Sequence, residues 1–260
     1  MNKALIDKRY IGIFWAILFN TIFVLISLFV LEYLNGPIWY LFSSFLRIAF
    51  GILILYTIKR VYGKSIKDII HFNNWMIALI SGISFLIFFA YYLVLFASGI
   101  KGININTSMV ITRVILQQLT TGFFEELIYR YLMLEGFFYL ENKTIIHKFL
   151  YVIISTVLFG IVHIVTGWDF ERFYQTSAIG FAFATIFINS QNLLIPMILH
   201  SVYDIFTNLA PYCKWGGSSF NALNSVYNIV VGIMIVISII MIIIIKKKDK
   251  TKENSDETTV

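Results

Sequence analysis

Apolar runs close to 20 residues long recur along this chain, and they constrain its fold more than any other feature. A run of that length lets a helix cross about 30 Å of hydrocarbon. Composition agrees: 59% of the 260 residues are hydrophobic and 13% charged, with a mean hydropathy of +0.82. Soluble domains run nearer half apolar and a quarter charged. The expected fold is therefore all-α, a polytopic membrane helix bundle with about eight transmembrane helices. The spans fall at about 10–34, 38–59, 74–98, 108–134, 148–166, 173–189, 192–210 and 225–245.

The first run follows Lys3, Lys8 and Arg9. It is too long for a signal peptide and lacks a small-residue cleavage site, so it reads as a retained helix. Gly36-Pro37 separates the first two spans, and "SIKDIIHF" (65–72) reads as a short interfacial helix. Residues 1–245 read as one integral-membrane domain. The tail at 246–260 is polar and charged and reads as disordered and cytoplasmic.

The net charge of +6 does not point to nucleic acid, because the cations cluster in short loops on one side of the spans. With the N-terminus inside, fourteen of the 20 Lys and Arg are cytoplasmic: those in 1–9, 59–72, 135–148 and the tail. Lys101, Arg172 and Lys214 are outside, and Arg47, Arg113 and Arg130 lie within spans. The positive-inside rule then favours eight spans with both termini cytoplasmic, at a cell membrane. The Ile-, Asn- and Lys-rich composition suggests a bacterial source. The single Cys213 excludes a disulfide framework and a Cys-rich zinc site.

Charges inside spans are costly, about 2.5–3.5 kcal/mol at the bilayer centre on insertion scales. Glu32 and Arg113 lie near span ends and can snorkel. Arg47 is deeper and reads as a member of a structural ion pair. The densest cluster is "EELIYR", residues 125–130. Glu126 and Arg130 stand four apart, acid first, the favourable order for an i, i+4 pair. Glu125 points about 100° away from Glu126, into the bundle, and is left available. His163 ends "FGIVH", and His200 and Asp204 share one face of "HSVYD". Phe159 could wall the site, and Gly122 and Gly160 allow close backbone approach.

Three spans thus bring two imidazoles and two carboxylates to one cavity. A carboxylate can take a proton from water, a histidine can hold that water, and further donors can stabilise an oxyanion. The same four residues, Glu125, His163, His200 and Asp204, could instead bind a divalent metal such as zinc. On these boundaries Glu125 and His163 fall in opposite halves of the bilayer, a separation that tilted helices would close. No His-Glu-x-x-His, G-x-S-G, G-x-G-D or P-loop motif is present.

Together, "EELIYR", "FGIVH" and "HSVYD" resemble the CPBP family, the CAAX-protease and bacteriocin-processing intramembrane proteases, also called Abi. Its pattern is E-E-x-x-x-R, F-x-x-x-H, then H-x-x-x-N or a close variant, here within about residues 108–210. The resemblance implies peptide-bond hydrolysis, with Glu125 activating water, His163 positioning it, and His200 and Asp204 stabilising the oxyanion. Glu126 and Arg130 become the structural or substrate-orienting pair. Asp204 stands where the eukaryotic CAAX enzymes have Asn, which sets a negative charge against an oxyanion and leaves metal-dependent and metal-free mechanisms both open. The implied substrate is a membrane-associated or secreted peptide, in bacteriocin self-immunity or peptide maturation. The rival readings are a non-catalytic membrane immunity or regulatory binding protein, and a small transporter.

Overall fold

The structure is a computed structural model and describes residues 3–135, 138, 144–165, 167–215 and 227–244. It is mostly helical. Helix α1 spans Lys3–Phe29, and a 3-10 turn, Leu31–Tyr33, leads to α2, Gly36–Tyr62. Gly36 takes φ +57° and Pro37 sits in the first turn of α2, where its missing N–H costs nothing. Gly63 ends α2 in a left-handed cap, its N–H donating to the Lys59 carbonyl. The short α3, Ile66–Ile69, lies inside the segment expected to be an interfacial helix. Asp68 accepts from the Ser65 N–H and Oγ–H, both at 2.7 Å. These two donors hold its carboxyl below the usual carboxylate range.

Helices α4, Trp75–Ser81, and α5, Ile83–Gly99, are two arms of one apolar stretch, bent by 64° at Gly82. A Cβ at Gly82 would sit 3.0 Å from the side chains of both Ile186 and Leu199. Helix α6 runs unbroken over 107–135 but changes winding. It is α-helical at Thr107–Met109 and Gln117–Glu125, and π-helical at Val110–Leu116 and Glu126–Glu135. Then follow α7, Ile145–His163; α8, Phe170–Ser190; α9, Leu194–Leu209; and α10, which includes Tyr227–Ile244.

One departure from the all-α expectation is a two-stranded antiparallel strap. Strand β1, Ile100–Ile103, pairs with β2, Cys213–Trp215. Both strands lie in connections too short for hydrophobic alternation to reveal them.

Helix length and composition show part of the expected eight spans. Among the described residues, four helices are long and apolar enough to cross a membrane: Tyr10–Phe29, Gly36–Tyr62, Ile146–His163 and Tyr227–Ile244. The bent α4–α5 pair makes up to five. The other three expected spans correspond to α6, α8 and α9, which are helical but do not qualify by length and composition. Helix α9 has only 16 residues, and α8 opens on the polar stretch Phe170–Ser177. The α8 stretch from Ala178 to Ile188 is buried without interruption, and α6 and α9 carry the polar site residues. The long helices instead expose apolar side chains, among them Phe14, Leu28, Phe45 and Ile52. Such an outer surface suits lipid. The tail at 246–260 lies outside the described residues, as does the Glu32 side chain.

Candidate active site

Glycine fixes how closely the site helices approach. A Cβ at Gly122 would lie 2.5 Å from Ser201 Oγ and 2.8 Å from the Met197 carbonyl oxygen, so α6 and α9 meet there backbone to backbone. One turn further along α6 stand Glu125 and Glu126; next to Ser201 stands His200. At Gly160 a Cβ would collide with Ser177 and Phe173, and at Gly180 it would lie 2.8 Å from Phe159 Cβ. These contacts seat α7 on α8.

Arg130 ties the helices together. Its Nε lies 3.3 Å from Glu126 Oε2, and both side chains are fully buried. The contact is an ion pair without a well-aligned hydrogen bond. Nη1 donates to Ser155 Oγ at 2.8 Å, and Nη2 donates to the Gly180 carbonyl at 3.4 Å. The guanidinium carbon sits 4.7 Å from the Phe159 ring centroid. The Tyr151 hydroxyl closes the arrangement by donating to the Arg130 carbonyl at 3.0 Å. The three guanidinium nitrogens are spread over a rigid plane and each meets a different helix, which a single ammonium nitrogen cannot do in the same geometry.

His200 is the hub. Its Nδ1–H donates to Glu126 Oε1 at 3.1 Å. Its Nε2 lies 3.5 Å from Asp204 Oδ2 and 3.8 Å from Glu125 Oε2. The ring stacks on Phe183 at 4.8 Å and meets the Phe159 edge at 5.7 Å. Glu125 and Asp204 keep 19% and 18% of their side-chain surface, against 0% for Glu126. The two outer carboxylates are therefore less enclosed than Glu126, with Glu125 Oε2 itself buried and without a hydrogen-bond partner.

His163 occupies the last position of α7. Its Nδ1–H donates to the Phe159 carbonyl at 2.7 Å. A carbonyl only accepts, so Nδ1 carries a proton, and Nε2 is the ring nitrogen left to face the site. The His163 ring packs on Phe159 at 4.5 Å. Among the described residues no ion pair or hydrogen bond joins His163 to Glu125 or His200; Phe159 lies between the two imidazoles. The structure thus brings Glu125, Glu126, Arg130, His200 and Asp204 together directly, and His163 through Phe159.

Sequence reasoning did not single out Phe183, Ser155 or Tyr151, which lie on α7 and α8 among many similar residues. It read Arg47 as a member of an ion pair. Among the described residues no carboxylate lies within ion-pair distance of it. Instead Nη1 hydrogen-bonds to the Ser43 carbonyl at 3.3 Å and to Ser43 Oγ, and the guanidinium stacks 5.0 Å from the Phe23 ring centroid.

The donors do not fit a metal site as they stand. Among the described residues no group of three or more His, Cys, Asp or Glu side chains converges as ligands.

Residues 106–206 match the family described as Type II CAAX prenyl endopeptidase, Rce1-like. No curated protein and no solved structure matches the chain. The matched stretch starts just before α6 and ends within α9, so it contains all six candidate site residues. The chain therefore carries, over residues 106–206, a domain of the Rce1-like type II CAAX prenyl endopeptidase family, which implies an intramembrane protease acting on a peptide substrate.

Proposed function

We propose that this protein hydrolyses a peptide bond in a membrane-associated or secreted peptide, using water activated by Glu125. The observation that carries the reading is the ring of three carboxylates, Glu125, Glu126 and Asp204, around the one imidazole of His200. Water held between Glu125 and the lone pair on His163 Nε2 loses a proton to Glu125 as its oxygen attacks the carbonyl carbon. The carbonyl oxygen becomes an oxyanion. A His200 ring bearing both protons satisfies Glu126 through Nδ1–H and offers Nε2–H to that oxyanion. In this step Asp204 acts through His200: it stands 3.5 Å from that same Nε2 and favours the doubly protonated ring. Collapse of the intermediate breaks the C–N bond, and the proton on Glu125 passes to the leaving amine. Glu126 and Arg130 hold His200 in register. No step runs through a metal.

The setting we propose is a single membrane domain over 1–245 with both termini cytoplasmic, supported by the charge asymmetry of the loops. Self-immunity to a bacteriocin and maturation of a secreted peptide both supply substrates of this class. The test is cleavage of hydrophobic peptides, including leader peptides, by the detergent-solubilised protein, followed by mass spectrometry. Glu125→Gln should lower turnover by about 10²–10⁴-fold, the usual worth of a general base. Equal cleavage by both proteins removes Glu125 from the reaction, and cleavage by neither favours a binding protein.

A further inference from the structure

The six site residues lie within the matched region, but they leave its charge unbalanced. Glu126 has Arg130. Among the described residues Glu125 and Asp204 share only His200 as an ion-pair partner, so even a fully protonated ring leaves one negative charge over in a largely apolar interior. Uncompensated charge in such surroundings is costly.

Helix α2 carries a cation at this place. Arg47 stands one turn before Gly51, on the same face, and a Cβ at Gly51 would overlap the Phe123 ring. The face of α2 bearing Arg47 is therefore pressed against α6 next to Glu125. On its other side the guanidinium meets Phe23, whose ring lies 5.0 Å from that of Phe124. Arg47 Nε is buried and has no hydrogen-bond partner. Glu125 and Asp204 lie beyond ion-pair distance of Arg47, and their charges act on it at longer range.

We infer that Arg47 is a positioning residue of the site: from a helix outside the matched region, it supplies positive charge that balances the neighbouring carboxylates of Glu125 and Asp204. The inference rests on the proposed hydrolysis for its kinetic arm alone.

The experiment is a double-mutant cycle in the full chain, in detergent, with Arg47→Met, Asp204→Asn and both together. Removing the excess negative charge should remove most of the need for the cation, so the two substitutions should couple. Arg47→Met is expected to lower kcat by about 30–100-fold with KM within about threefold, and to cost at most about fivefold in the Asp204→Asn background. Arg47→Lys should retain activity to within about tenfold, because it keeps the charge. The thermal midpoint should fall with Arg47→Met and fall distinctly less in the Asp204→Asn background. A packing role for Arg47 would give the same factor and the same midpoint loss in both backgrounds, and that result overturns the inference. If the wild type cleaves no peptide, the hydrolytic reading fails, and the thermal cycle decides alone. It also decides if Asp204→Asn leaves too little turnover to measure. Coupling supports the charge partnership, and additivity ends it.

Discussion

Arg130 shows how much one side chain can hold. It has no exposed surface and reaches Glu126, Ser155 and Gly180 from one guanidinium. Removing it strands the buried Glu126 charge, and breaking a buried pair this way typically costs about 3–5 kcal/mol. Arg130→Met should therefore lower stability by that order in detergent unfolding. Arg130→Lys should recover only part of it, since one ammonium nitrogen cannot reach three partners placed for the separate nitrogens of a guanidinium. A gentler residue-level test lies outside the spans. The folded Asp68 carboxyl titrates below its ordinary value because Ser65 donates to it twice. The contribution is therefore present above the unfolded pKa and lost as pH falls through the folded pKa. Ser65→Ala removes one donor, so the Asp68 titration midpoint, followed by carboxyl NMR, should move upward. At this scale the sequence was informative. The i, i+4 spacings of Glu126 with Arg130 and of His200 with Asp204 both appear as ion-pair contacts. Helical periodicity fixes such neighbours before any tertiary contact forms.

Between elements, the decisive contact is α6 on α9 at Gly122. A methyl group there meets a backbone carbonyl 2.8 Å away, which cannot rotate aside. Gly122→Ala should force the helices apart, at about 1–3 kcal/mol of stability. It should also lengthen the His200–Glu126 hydrogen bond, so peptide cleavage should fall more than folded yield. Equal losses of the two would deny this contact its part in setting the site. Gly122 stood out in the sequence as a point of close approach, but its partner did not. Ser201 and Met197 are about 80 residues downstream, and periodicity says which face a residue occupies without saying which helix covers it. The β1–β2 strap was invisible for the same reason: its strands are four and three residues long and pair across more than a hundred positions.

Over the whole molecule, the helices divide by position. Long apolar helices form the outside, and α6, α8 and α9, which are poorer in outward apolar surface, form much of the inside. Outward positions should then tolerate apolar exchange and reject charge. Phe45, exposed on α2, is a test: Phe45→Arg should cost about 2.5–3.5 kcal/mol in a membrane-insertion assay, while Phe45→Leu should insert normally. Normal insertion of the arginine variant would show that this face does not meet lipid.

Sequence alone determined that the chain belongs in a membrane, because hydropathy over 20 residues is a local sum. It also determined which polar groups share a helix face, because the helical repeat is local. Only the tertiary structure decided that His200 stands at the centre and that His163 reaches the cluster through Phe159. The tertiary structure likewise brought Arg47 from α2 to the site. These choices depend on which helices pack together. That packing is set by glycine contacts and by the burial of charge between residues far apart in the chain, including the 74 positions that separate Glu126 from His200.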